Sequence, residues 1–296
     1  MEISLCSYSF HKKLEAGQHD VFQDILDCQA LGCTQLDLWN GHLPELLDQP
    51  GRVGEAEPVP QARPDTLAGA PLAWTLLLAE AAYVDRVRAA ADAAGLPLGC
   101  LAVDGAHIYE QAAEARALHR LRALRWCAIA ARLGARQIRI DSGGPAEMTT
   151  EVFALIVAGY SDLIPRAARL GLDVVMENHW GASRVPENVV EILEAVPDLG
   201  LLFDSGNWPP GRHEAGWARC ARFASATHIK TWAFDADGNE KTMDLPKVVR
   251  HLLDGGYDGC WGIESVPRAG DEFEAARQSL NLVRRLVSAG RAAETA

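Results

Sequence analysis

The run GLDVVMENHWGASRVPENVVEILEAVPDLGLLFDSGN, residues 171–207, holds one complete unit of the fold. Apolar Val174, Val175 and Met176 break at once into Glu177, Asn178 and His179. The amphipathic stretch Glu187–Val196 leads to a second apolar run, Leu201-Leu202-Phe203, which breaks into Asp204, Ser205, Gly206 and Asn207. A short apolar run, a stretch of helical period and another short apolar run read as two parallel strands joined by a helix.

Working outward, the unit recurs along the chain. Strand candidates are Ile3–Phe10, Thr34–Trp39, Pro97–Val103, Gln137–Asp141, Asp173–His179, Gly200–Asp204, Ala226–Trp232 and Cys260–Val266. Helix candidates are Val21–Leu31, Tyr83–Ala94, Ala113–Leu133, Val152–Leu170, Glu187–Val196, Glu214–Phe223, Leu245–Asp254 and Glu272–Ala289. Gly32, Gly95, Gly134, Gly171 and Gly255 each stand between a helix and the next strand, where a helix end favours a left-handed residue. Strict alternation predicts a parallel sheet, and eight repeats predict a (β/α)8 barrel that takes all 296 residues as one domain. One segment breaks the rhythm. Residues 41–74, rich in Pro, Gly and Ala and ending at Trp74, are expected to form a long excursion of the second βα loop.

Composition narrows the function. Lys and Arg total 28 against 40 Asp and Glu, a net charge of −12. Such a chain is a poor partner for nucleic acid, whose binding rests on cationic neutralisation of phosphates. No segment approaches the roughly 20 apolar residues of a membrane span. The first ten residues have no signal-peptide pattern, and the seven scattered Cys form no CxxC pair, so they read as small buried hydrophobes of a cytoplasmic protein.

Active sites of this architecture lie where strands end. Strand five ends in Glu177, strand six in Asp204, strand seven in His228 and Lys230, and strand eight in Glu264. Singly, each has a plainer reading: Glu177 as a partner of Arg139, Asp204 as a helix cap, His228 as a core histidine. Together they deliver three carboxylates and an imidazole to one rim, a set that a single divalent cation would neutralise. Mn²⁺ suits these ligands first, with Mg²⁺, Co²⁺ or Zn²⁺ as alternatives.

These residues also carry a resemblance. Glu177-Asn178-His179, Asp204-Ser205-Gly206-Asn207, His228-Ile229-Lys230 and Ile263-Glu264 resemble the strand signatures of the sugar phosphate isomerase/epimerase family of xylose-isomerase-like TIM barrels. The resemblance implies metal ligation by Glu177, Asp204, His228 and Glu264, with Glu177 and Glu264 also acting as acid and base. It implies an isomerase or epimerase acting on a small carbohydrate through an enediolate. A homo-oligomer is the one assembly it leaves open. Asp37, Asn207 and Gly262 depart from the ketose 3-epimerase pattern.

Substrate contacts are expected from His179 and Lys230, each two residues beyond a ligand and so on the same strand face. His107, Trp208 and Arg184 join them as candidates at or beyond strand ends. Dehydratases of the inosose and 3-dehydroshikimate type resemble the chain about as well, and a well-placed general acid would mark them. A non-catalytic barrel subunit and an AP-endonuclease-type hydrolase fit less well.

Overall fold

The computed structural model describes residues 1–47 and 78–294. Eight parallel strands form a closed barrel: β1 (Ile3–Cys6), β2 (Gln35–Trp39), β3 (Leu98–Tyr109), β4 (Gln137–Gly143), β5 (Asp173–Glu177), β6 (Gly200–Asp204), β7 (Ala224–Thr231) and β8 (Trp261–Ser265). Each strand pairs with the next, and β8 closes on β1 through the register Leu5 to Ile263. Helices α1 (His11–Glu15) and α2 (Val21–Ala30) follow β1, and α3 (Leu78–Ala94) follows β2. Then α4 (Ala113–Leu133), α5 (Thr150–Ala168), α6 (Pro186–Ala195), α7 (His213–Cys220), α8 (Leu245–Asp254) and α9 (Glu272–Glu294) follow the remaining strands in turn.

The departures from the sequence reading are local. The first strand is shorter than Ile3–Phe10, because Ser7–Phe10 turns into a 3-10 helix that feeds the unforeseen α1. The third strand runs past Val103 to Tyr109 through a register shift, so His107 lies on the strand rather than after it. Gly255 keeps a helical φ of −75°, and Gly256, at φ 83°, is the left-handed residue that ends α8. Of the 41–74 excursion, residues 48–74, Trp74 included, lie outside the described residues. Among the described residues no helix is long and apolar enough to cross a membrane.

Strand alternation sorts side chains into two compartments. Leu36, Leu38, Ile138, Ile140, Met176, Phe203 and Ile263 face outward and build the main core against the helices. Inside the barrel, Cys100, Val175 and Leu202, with Ala226 against them, form a separate and much smaller apolar layer. Below that layer the interior is polar. Asp37 accepts hydrogen bonds from the Cys100 N–H at 2.8 Å, from Gln35 Nε2 at 2.9 Å and from the Ser4 hydroxyl. This explains the departure at strand two: Asp37 serves the strand-start end of the barrel, and Trp39, two residues on, reaches the mouth.

The loop after β5 fixes the height of its functional residues. Gly181 sits at φ 65°, and a Cβ there would stand 2.4 Å from the Gly144 carbonyl oxygen and 2.8 Å from that of Gly143. Gly181→Ala should therefore cost at least about 1–2 kcal/mol, the penalty of a left-handed side chain alone, seen as a lower urea midpoint. An unchanged midpoint would show that the turn relaxes around the added carbon.

Candidate metal centre

Asp204 and His228 are register partners across β6 and β7, and Lys230 and Glu264 are partners across β7 and β8. Glu177 ends the neighbouring β5. The four residues nominated from sequence are thus brought together, with one ligand atom from each within 4.8 Å of the others. His228 Nδ1 lies 3.3 Å from Glu177 Oε1 and 3.1 Å from Glu264 Oε2. Glu177, His228 and Glu264 line a cavity of about 350 Å³, and Asp204 is wholly buried beside it.

The backbone is held as firmly as the side chains. Asn178 Oδ1 accepts the Asp204 N–H at 2.8 Å, and its amide donates to the Asp204 carbonyl at 2.8 Å, clamping β5 to β6. Asp204 Oδ1 caps the following turn by accepting the N–H groups of Gly206 and Asn207 at 2.6 and 2.9 Å. Its Oδ2 lies 3.0 Å from Lys230 Nζ. The capping reading and the ligand reading of Asp204 therefore belong to different oxygens.

Charge around the cavity is unevenly matched. Arg139, 3% exposed, sets its guanidinium 3.1 Å from Glu177 Oε2, 3.0 Å from Asp141 Oδ2 and 2.9 Å from Asp104 Oδ1. Lys230 reaches Asp204, Glu264 at 3.3 Å and the Asn207 oxygen at 2.7 Å. Burial pushes Asp204 up to about 6, and Lys230 only partly opposes it. Burial acts the same way on Glu264, but Lys230 and His228 prevail and hold it at about 2. Glu177 is likewise kept well below the usual carboxylate range by Arg139 and His179, against its burial. Burial disfavours the His179 cation, yet Glu177 and Asp141 raise it to about 9. Five carboxylates, Asp104, Asp141, Glu177, Asp204 and Glu264, face Arg139, Lys230 and the His179 cation, leaving two surplus negative charges when His228 is neutral, as a metal ligand must be. A dication offsets these, and three carboxylate oxygens with one imidazole nitrogen are suitable donors for it.

The substrate-binding candidates separate. His179 and Lys230 line the cavity, His179 with its Nδ1 3.0 Å from Asp141. Trp208 does not reach it: the ring is 2% exposed, packed against Phe203 and over Gly216, because the chain after β6 turns back into the core. Arg184 is exposed at the end of a 3-10 turn, away from the cavity lining. His107 also lies outside that lining, and its ring packs on His119. Other residues share the lining with them, among them the strand-end aromatics Trp39 and Trp232, and Asn207 from the strand-six signature. Asp104, Asn207, Cys6, Tyr8, Trp39 and Trp232 line the cavity, and Arg139 and Asp141 organise its wall. Alternation along β4 was the available signal for the last two, since Gln137, Arg139 and Asp141 share one face.

The fold and this strand-end cluster define a class. Residues 65–286 match the family model described as xylose isomerase-like TIM barrel, and the chain belongs to that family. No curated protein sequence is significantly similar to it. Among solved structures, the IolI protein with a bound zinc atom superposes at a TM-score of 0.72 and 13% identity, with 98% of this chain and 99% of that one covered. L-ribulose 3-epimerase superposes at 0.70 and 12%, covering 100% and 97%. A probable 3-DHS dehydratase, AsbF from Bacillus anthracis, superposes at 0.67 and 13%, covering 96% and 99%. The chain also spans 43% of the length of a xylose isomerase-like TIM barrel/4-hydroxyphenylpyruvate dioxygenase fusion protein. At such identities the likeness is one of fold.

Arg139 gives the sharpest stability test. Arg139→Met leaves Glu177 and Asp141 buried without their shared cation, which should cost about 3–5 kcal/mol at neutral pH. A carboxylate whose folded pKa is depressed adds stability above its unfolded pKa, near 4.3 for Glu, and loses it as pH falls through the folded value. The gap between mutant and wild type in urea unfolding should thus narrow below about pH 4. A gap that is small, or constant with pH, would show that the guanidinium does not hold the carboxylates charged.

Proposed function

We propose that this protein is a divalent-metal-dependent isomerase or epimerase of a small, unphosphorylated, sugar-like ketose. The observation that supports it is the convergence of Glu177 and Glu264, from the non-adjacent strands β5 and β8, with Asp204 and His228 at one cavity. Glu177, Asp204, His228 and Glu264 would hold the ion, Mn²⁺ by first preference and Mg²⁺, Co²⁺ or Zn²⁺ as alternatives. When bound, it supplies Lewis acidity to a carbonyl and its neighbouring hydroxyl, making the adjoining C–H acidic enough for a carboxylate to remove.

The protein's own groups do the rest. Glu177 and Glu264 remove and return the proton from different sides of the substrate carbon. Arg139 and the Asn207 amide, 3.1 and 3.2 Å from its two oxygens, fix the orientation of Glu177. His228 and Lys230 do the same for Glu264. Lys230 and His179 donate to substrate hydroxyls. Trp39 and Trp232 on the lining offer apolar faces for the C–H side of a sugar. The surplus of carboxylates works against a phosphate group, and about 350 Å³ lies at the small end of ligand pockets. The acidic chain also disfavours a nucleic-acid partner.

One observation favours a dehydratase as the second reading. His179, paired with Asp141 and held protonated, lines the cavity and would be a general acid for a β-hydroxyl leaving group.

Turnover of candidate ketoses and inososes, followed by NMR in D₂O at saturating Mn²⁺, tests both. Solvent deuterium at one carbon of an intact sugar is expected, whereas loss of water would decide for the dehydratase. Asp204→Ala should lose the metal and activity together while staying folded. Glu177→Gln and Glu264→Gln should keep appreciable metal yet fall at least ~10²-fold in rate, the low end for acid–base catalysis. Near-native rates in both Gln variants under excess metal would sink the acid/base roles.

A further inference from the structure

His107, Glu110 and His119 belong to no part of the machinery above, yet they converge as tightly as the first cluster does. The β3 strand delivers His107, and the chain then turns through Glu110 to Ala112 into α4. Arg116 holds that turn by donating to the carbonyls of Glu110 and Gln111 at 2.7 and 2.8 Å. His119, in the second turn of α4, brings its ring back over His107, with 3.8 Å between ring centres. Both imidazoles aim Nε2 at the same oxygen: Glu110 Oε1 is 2.5 Å from His107 and 3.7 Å from His119.

We infer that His107, Glu110 and His119 form a second divalent-cation site at the rim of the barrel mouth, suited to a borderline transition ion such as Zn²⁺. Bonds of about 2.0–2.2 Å to a tetrahedral ion place ligand atoms roughly 3.3–3.5 Å apart. The two distances to Glu110 straddle that separation and all three donor atoms lie within 4.8 Å of one another, so side-chain rotations of the imidazoles and the carboxylate would bring them to one centre. Exposure is graded as an open site requires. The imidazoles are 11% and 12% exposed and the Glu110 carboxylate 36%, leaving the solvent side for water or a further ligand. Two imidazoles and one carboxylate are a donor set common for Zn²⁺.

The site shares no residue with the first cluster but is mechanically joined to it. The edge of Trp180 packs against His107 with 5.0 Å between ring centres, and its Nε1 donates to Asp141 Oδ2 at 3.0 Å. Asp141 in turn holds Arg139 and His179. An ion here would pin the α4 entry to the wall of the mouth.

Zinc titration of the untagged, chelator-stripped full chain, by calorimetry with elemental analysis after dialysis, tests the inference. Two equivalents per native chain are expected, and one in each of His119→Gln, Glu110→Gln and Asp204→Ala. Circular dichroism should show both rim variants folded. Equal zinc content in native protein and both rim variants would overturn the second site. Loss of one equivalent in the rim variants with none lost in Asp204→Ala would leave it standing and remove the first cluster as a metal centre.

Discussion

Arg139 sets one guanidinium, almost fully buried, against Glu177, Asp141, Asp104 and the carbonyl of Val103. A guanidinium cannot shed its proton at any pH a protein survives, so this is a fixed positive charge inside the barrel. The rest of the mouth is arranged around it. It lets Glu177 stay ionised where burial would otherwise neutralise it, and it shares Asp141 with His179 and Trp180. On the opposite wall Lys230 performs the corresponding task for Asp204 and Glu264. With His179 protonated, three cations still face five carboxylates. The negative charge left over would favour a small cation at the mouth.

Most of this architecture was legible before any coordinates. Strand ends Glu177, Asp204, His228 and Glu264 could be nominated because each closes a strand-like run whose direction is fixed by the helix after it. Alternation then carried His179 and Lys230 to the same side. Both steps rest on regular backbone, where side-chain direction follows from position alone.

What failed did so where regular backbone ends. Trp208 lies four residues beyond Asp204, and the path of the turn sends its ring into the core. Arg184 sits on a 3-10 turn that leads it to solvent. His107 follows an irregular step in β3, and the register shift swings it toward α4. Strand β4 was a different kind of omission. Its Arg139 and Asp141 obey alternation, but an Arg and an Asp two apart on a strand read as ion-pair partners, with nothing to mark them as part of the cavity wall.

The apolar layer of Cys100, Val175 and Leu202 has a consequence for traffic through the molecule. It is about one residue thick, with polar groups on either side: the carboxylate cluster at the mouth, and Asp37 with Ser4 and Gln35 at the other end. It therefore lies between two polar compartments, the cavity at the mouth and the smaller one lined by Asp37 and Cys100 at the other end. Under the proposed function, a proton taken from a molecule held at the mouth would exchange with solvent on the mouth side of this layer.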